Sequence, residues 1–192
     1  MRQIEMRRFI LPVLLCVIVP LQASQDIAAE KAQVLRLLSG YEWQFSPERF
    51  QSLAADTYLT LIDIAQDDSM VAYTRGRAMV ALSLYKNDVV FAYFKETSSD
   101  ERRPSEQRRA VEGLCEIFLD SKAPSIKNTL SPMLNSDDVH LRTKVARCLA
   151  SILRDSPDKK LAGRLAAYRD SIEESWELEA AGFQTATGEQ RQ

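Results

Sequence analysis

The sequence predicts an all-α fold, and three observations support it. Apolar residues recur every three or four positions along most of the chain, which places them on one side of an α-helix. The 192 residues include only six glycines, and no Asn-Gly or Asp-Gly pair marks a β-hairpin. Short Ser-Pro-acid and Asp-Asp signals divide the chain at intervals that suit helix starts. The length suggests one domain.

The N-terminal residues 1–23 have the layout of a secretory signal peptide. Arg7 and Arg8 precede an apolar stretch, Phe9 to Leu21, that contains no charge, and small residues follow Pro20. The stretch covers 13 residues, fewer than the roughly 20 that span a bilayer. We therefore expect export to the periplasm or beyond, with no membrane span once the segment is removed. The alternative is an uncleaved N-terminal anchor.

Two special export signals fit this segment less well than general secretion. Cys16 follows Leu15, whereas the residue before a lipidated cysteine is small. The Arg7-Arg8 pair lacks the polar neighbours of a twin-arginine signal. We expect a helical domain over residues 24–181 and a polar, disordered tail over residues 182–192.

Helix signals follow one another along this domain. A helix N-terminus is favoured by a capping hydroxyl or carboxylate, a proline in the first turn and an acid near the start. A glycine favours the C-terminal end of a helix. The predicted helices are, in order, one ending at Gly40, one from Ser46 to Ile62 that stops before Asp67, one through Arg75 to Tyr85, one capped by Asp88, one from Ser105 to Phe118, one from Pro124 to Leu134 bent at Pro132, one capped by Ser136-Asp137-Asp138 and running to about Ile152, and a long final one that the Ser156-Pro157-Asp158 signal opens and that runs past Trp176.

Three of these helices contain segments that align without gaps, at periods of 32 and 35 residues: Arg75–Tyr85, Gln107–Ile117 and Arg142–Ile152. The shared columns are basic (Arg77, Arg109, Lys144), small (Ala81, Gly113, Cys148) and apolar (Leu82, Leu114, Leu149). Stacked hairpins bury such apolar columns, and small residues let neighbouring helices approach closely. A helical bundle with accidental similarity is the alternative.

The aligned segments resemble HEAT repeats. The best copy runs from Asp138 through Arg142 and Leu149 to Ile152, with an acid, an arginine and then small and apolar residues. The middle copy departs from the pattern, because Gln107 stands where the arginine falls. The periods are also shorter than the roughly 40 residues typical of the family. The resemblance implies an α-solenoid, a right-handed superhelix of about three HEAT-like hairpins, with residues 24–40 and 157–181 as capping helices. It also implies a protein partner bound along one face.

The charge of the chain bears on the class of that partner. The formal net charge is −2, and without residues 1–23 the chain has 22 basic and 26 acidic residues. Nucleic-acid binding and attachment to anionic membranes both draw on positive charge. We therefore expect another protein as partner, and no nucleic acid.

No catalytic, cofactor-binding or metal-binding motif is predicted. His140 is the only histidine and follows Asp137 and Asp138 at a predicted helix start, where capping accounts for the acids. Cys115 and Cys148 do not occupy equivalent columns, and their offset of two positions corresponds to about 200° of rotation around a helix. This favours buried free thiols over a disulfide.

The candidate partner-binding residues are Arg77, Arg102, Arg103, Arg109, Lys144 and Trp43. Arginine suits recognition of an acidic segment, although a solvated face paired with nearby acids is the alternative. The leading hypothesis is an exported, non-enzymatic adaptor or assembly factor that binds an envelope or secreted protein. The alternatives are a structural subunit that self-associates through the final helix, and a hydrolase that uses acids near His140.

Overall fold

The computed structural model describes residues 27–183, and within that range it contains ten α-helices and no strand. The predicted all-α fold class is confirmed. The predicted signal segment and residues 184–192 lie outside the described residues. The helices are α1 (27–38), α2 (Pro47–Gln51), α3 (Thr57–Gln66), α4 (Ala72–Ala81), α5 (Asp88–Thr97), α6 (Pro104–Ile117), α7 (Leu119–Leu130), α8 (Val139–Asp155), α9 (Lys159–Asp170) and α10 (Ser175–Ala180).

Most predicted helix ends are found, and two predicted continuous helices are broken. Gly40 follows α1 with φ +106°, a conformation that favours glycine. The run expected from Ser46 to Ile62 is split into α2 and α3. The Ser52 hydroxyl donates to the Arg49 carbonyl at 2.9 Å, a local bond that competes with continuing the helix.

The long final helix is also interrupted, after Asp170. The Ser171 hydroxyl donates to the Tyr168 carbonyl at 2.7 Å, and α10 begins only at Ser175. The continuous stripe that was expected to mediate self-association is therefore absent from residues 157–181. Phe183, assigned to the tail, lies with its ring 6.0 Å from the Tyr168 ring.

Two smaller predictions are corrected. Asn87, not Asp88, caps α5, because its side-chain oxygen accepts from the Val90 N–H at 2.9 Å. The helix before α8 begins at Leu119 and is kinked at Lys122, just before Pro124. Pro132 does not bend it but opens a separate 3-10 turn, Ser131–Asn135.

The aligned helices lie side by side. Helix α4 packs against α6, α6 against α8, and α8 against α10, while α3 packs on α4 and α5 on α6. The columns of small and apolar residues are buried in this packing: Ala78, Ala110 and Val145; Ala81, Gly113 and Cys148; Leu82, Leu114 and Leu149. A Cβ on Gly113 would lie 2.8 Å from Cζ of Phe94, so the close approach of α5 requires glycine there.

Buried arginine–glutamate pairs join helices at both ends of this series. Arg75 pairs with Glu106 at 2.8 Å between α4 and α6, and Arg142 pairs with Glu177 at 2.9 Å between α8 and α10. The Tyr168 hydroxyl donates to the same Glu177 oxygen at 2.8 Å. Each glutamate therefore has the hydrogen-bond partners that a buried carboxylate needs.

A disulfide joins α6 to α8, so the interpretation of Cys115 and Cys148 as free thiols was wrong. Their Cα atoms are 5.7 Å apart. The rotation argument assumed that both side chains had to point along the centre of the shared seam. Instead, the cysteines lie on the facing edges of the two helices, with Cys115 half-buried and Cys148 buried, and at an edge they meet without equivalent positions.

Candidate protein-interaction surface

One exposed side of the α4–α6–α8 series carries four cations, and we call it the basic face: Arg77, Arg109, Lys144 and Arg147. Lys144 and Arg147 lie three residues apart on α8 and therefore share a side of that helix. Each member of the basic column precedes a buried residue (Ala78, Ala110 or Val145) by one position, about 100° around the helix, so the cations lie beside the buried side. Arg109 packs on α4 at Gly76, next to Arg77, and its charge acts on Lys144, so neighbouring members of the column lie close together.

Arg77 forms one end of the basic face and has a structural role. Its Nη1 donates to the carbonyls of Leu38 at 2.7 Å and Gly40 at 2.9 Å, which satisfies the end of α1. The guanidinium also lies over the rings of Trp43 and Tyr73, at 5.1 and 4.8 Å. Trp43, predicted as a contact residue, is itself fixed by donation from Nε1 to the Leu37 carbonyl at 2.8 Å.

Arg109 lies at the middle of the face and is exposed. Its side chain crosses α4 at Gly76, where a Cβ would lie 3.1 Å from the Arg109 Nε. None of the ion pairs among residues 27–183 involves Arg109. The guanidinium is thus positioned by packing on α4 and keeps its donors for another group.

Lys144 and Arg147 extend the positive charge onto α8. Lys144 pairs with Glu112 of α6, and Arg147 donates to the Ala180 carbonyl at 2.5 Å. Burial lowers the pKa of Lys144, and the positive charges of Arg147, Arg108 and Arg109 lower it further. Cations are therefore crowded here, and an anionic ligand would relieve their repulsion.

Arg102 and Arg103, the other two predicted contact residues, lie apart from the basic face. Both are in the loop before α6, where Arg102 pairs with Asp100 at 2.8 Å and Arg103 with Asp68 at 2.5 Å. They line a separate groove of about 390 Å³ beside Tyr93. For these two residues, the structure agrees with the alternative of a solvated face paired with acids.

The acids near His140 act as a helix cap. The Asp138 carboxylate accepts from the backbone N–H groups of His140 and Leu141, at 3.0 and 3.2 Å, and from Arg108 at 2.9 Å. The exposed His140 ring lies 6.3 Å from the Trp176 ring. Within residues 27–183, no group of three or more His, Cys, Asp or Glu side chains is arranged to hold a metal ion.

Sequence reasoning missed two residues that shape the basic face. Gly76 was not noted because a single glycine inside a predicted helix does not indicate which side chain packs on it. Its role depends on the path of the Arg109 side chain across α4. Arg147 was not noted because its aligned positions, Val80 and Glu112, are not basic. The pairing distances along the chain were a usable signal: Lys144–Glu112, Arg108–Asp138 and Lys31–Asp63 are 32, 30 and 32 residues apart, close to the repeat period.

None of the helices in the described part of the chain is long and apolar enough to span a bilayer. Comparison of the chain with protein-family models, with curated proteins and with solved structures gave no match.

Proposed function

We propose that this chain is a non-enzymatic protein-interaction module, an exported adaptor or assembly factor that binds an envelope or secreted protein. The observation that carries the proposal is the basic face, on which successive packed helices present aligned cations on one exposed surface. Export rests on the signal-like composition of residues 1–23.

The proposed architecture is a short α-solenoid of HEAT-like hairpins. Three features support it: the aligned periods of 32 and 35 residues, the packing of α4 on α6 and α6 on α8, and the burial of equivalent columns. In repeat proteins each unit contacts mainly its neighbours, and the stack offers an extended surface to a partner. Fold alone does not establish the role, so the proposal depends on the face and not on the architecture.

Site-specific photocrosslinking in cells tests the proposal. A photoreactive phenylalanine derivative replaces Tyr73, which lies beside Arg77 on the basic face and leaves all four cations in place, or, as a control, the exposed Arg164 on α9. We expect one envelope or secreted protein to crosslink at position 73 in stoichiometric amount, and not at position 164. Equal crosslinking at both positions, or none at 73, would contradict a binding role for this face.

Self-association is the second candidate, favoured by one observation. Trp176 on α10 is 47% exposed, and exposed aromatic residues often anchor interfaces. Light scattering separates the two functions: the adaptor is expected to be a monomer at high concentration. A dimer that Trp176→Ala dissociates would support the structural subunit.

A further inference from the structure

We infer that the basic face binds an extended acidic segment of a partner protein, with Arg109 as the central anchor. The inference rests on the proposed function, and it adds the chemistry of the bound segment and the residue on which recognition centres.

The first argument is the placement of Arg109. Its exposed guanidinium packs on α4 at Gly76, where a Cβ would lie 3.1 Å from Nε, so a larger residue there would require Arg109 to shift. A glycine in a helix interior costs about 1 kcal/mol relative to alanine. A glycine at position 76 leaves room for the Arg109 guanidinium at a defined place on the surface. The planar donors of a guanidinium match a carboxylate.

The second argument is charge complementarity. Arg109 has no carboxylate partner among residues 27–183, and Arg147 bonds only to a backbone carbonyl. Lys144 alone of these three pairs with an acid, Glu112, which a partner carboxylate could replace. A segment with acidic side chains would meet all three cations.

The third argument concerns the length of the face and its ends. Two helix-to-helix spacings of 8–10 Å separate α4 from α8, and an extended chain covers that distance with about six residues. Exposed aromatic rings lie on the two terminal helices of the series: Tyr73 on α4, 60% exposed, lies under the Arg77 guanidinium, and Trp176 on α10 is 47% exposed. Such rings suit apolar residues on either side of an acidic stretch.

The same face is a poor fit to nucleic acid. Glu112, Glu116 and Asp138 are interleaved with the cations on α6 and before α8. A nucleic-acid backbone has a negative charge at every nucleotide, and these carboxylates would repel it. A peptide, in contrast, can space its acidic residues to match the cations. The net charge of −2 points the same way.

Fluorescence anisotropy tests the inference with a labelled decapeptide in which Asp or Glu residues alternate with Ser or Gly and one Phe lies at an end. Two comparison probes with the same label are used: the Asn/Gln version of the peptide and a single-stranded DNA oligonucleotide of equal charge. The acidic peptide is also measured at high salt. We expect binding of the acidic peptide alone, weakened by salt. Equal binding of the Asn/Gln peptide, or tighter binding of the DNA, would overturn the inference.

Three variants locate the site. Arg109→Glu should weaken binding at least about tenfold, because it reverses the charge at the centre of the site. The matched change Arg164→Glu on α9 should have little effect. Gly76→Ala is expected to weaken binding while raising the thermal midpoint, because it displaces Arg109 but favours the helix. Unchanged binding by Arg109→Glu, with an unaltered circular dichroism spectrum, would refute the role of Arg109.

The result is distinguishable from failure of the proposed function. If photocrosslinking at position 73 captures a partner but the acidic peptide does not bind, the adaptor function stands and the acidic chemistry is wrong. If position 73 captures no partner, the basic face is not a binding surface and both proposals fail.

Discussion

Two junctions in the helix series are held by different chemistry. Between α8 and α10, Arg142 pairs with the buried Glu177, which also accepts from Tyr168. Between α6 and α8 the aligned position is Gln107, which cannot form such a pair, and this junction has the disulfide Cys115–Cys148 together with the less buried ion pairs Lys144–Glu112 and Arg108–Asp138. The comparison teaches that one of the three aligned segments can lack the buried arginine of the other two where a covalent bond joins the same two helices.

The α4–α6 junction shows that the ionic arrangement is the recurring one. Arg75 pairs with Glu106, and its Nη1 donates to the Met70 carbonyl at 2.7 Å. Arg142 repeats both features, with Nη1 donating to the Ser136 carbonyl at 2.8 Å. Each arginine thus joins the loop before its own helix to the next helix of the series. Tyr93 lies beside Glu106 at this junction, and burial raises the pKa of its hydroxyl to about 12.

The largest expected effect comes from breaking an ionic junction. Arg142→Ala leaves Glu177 buried without its cation, and removal of one partner from a buried pair costs about 3–5 kcal/mol. Urea unfolding should show this loss, and Arg75→Ala should show a similar one. The double variant Arg142→Met with Glu177→Leu should recover most of the stability, because no charge then remains buried. A single-variant loss no larger than that of an exposed arginine would contradict the buried-pair account.

Removal of the disulfide is expected to be next in size. The bond closes a loop across 33 residues of sequence, for which loop entropy predicts a loss of about 3–4 kcal/mol. The variant with both Cys115 and Cys148 changed to Ser should lose this amount in urea unfolding. Reduction of the unaltered protein should give the same midpoint as that variant. If reduction has no effect, the middle junction does not depend on the bond.

A glycine pair sharpens the comparison by testing packing without charge. Gly113→Ala in α6 places a Cβ 2.8 Å from the Phe94 ring and is expected to destabilise the protein by about 1–3 kcal/mol. In contrast, Gly163→Ala in α9 meets nothing within 4 Å and should stabilise by about 0.5–1 kcal/mol. Thermal unfolding measures both, and the same sign for both would contradict the close packing of α5 on α6.

The smallest effect is expected from a half-buried ion pair outside the junctions, Lys127–Asp158. The Asp158 carboxylate caps α9 and accepts a hydrogen bond from Lys127. This bond, together with those from the backbone N–H groups of Leu161 and Lys160, lowers the pKa of Asp158 to about 2. A depressed carboxyl pKa contributes stability that is complete above about pH 4 and is lost as the pH falls towards 2. The stability deficit of Asp158→Asn relative to the unaltered protein should therefore be largest at neutral pH and shrink as the pH falls from 4 towards 2. A deficit as large at pH 2 as at pH 7 would assign the effect to something other than this charge.

The sequence predicted the helical class and most helix boundaries because these depend on local signals. Asp138 caps α8 as expected, and the column of Leu82, Leu114 and Leu149 is buried, whereas Asp158 caps α9 in place of the expected Ser156. The breaks at Ser52 and Ser171 were not predicted, since the apolar rhythm continues across both. There, side-chain bonds to nearby carbonyls compete with the helix at positions where periodicity carries no information.

The candidate site was predicted only in part. Alignment placed Arg77, Arg109 and Lys144 on one side, but the partners of each cation depend on tertiary packing that spacing alone does not fix. Arg77 donates to backbone carbonyls at the end of α1, and Lys144 pairs with Glu112, so of these three cations only Arg109 has neither a hydrogen bond nor an ion pair among residues 27–183. Single-sequence spacing also misjudged the cysteines, because it gives rotation around a helix and not the relative position of two helices.

Native-state hydrogen exchange tests the central claim most directly, because it resolves each junction by itself. On reduction of the disulfide, protection should fall at the facing amides of α6 and α8, while α4 keeps its protection. In Arg142→Ala with the disulfide intact, the loss should be centred on α10 and the adjoining end of α8. If either change lowers protection uniformly along residues 27–183, the junctions are not separate units and the account is contradicted.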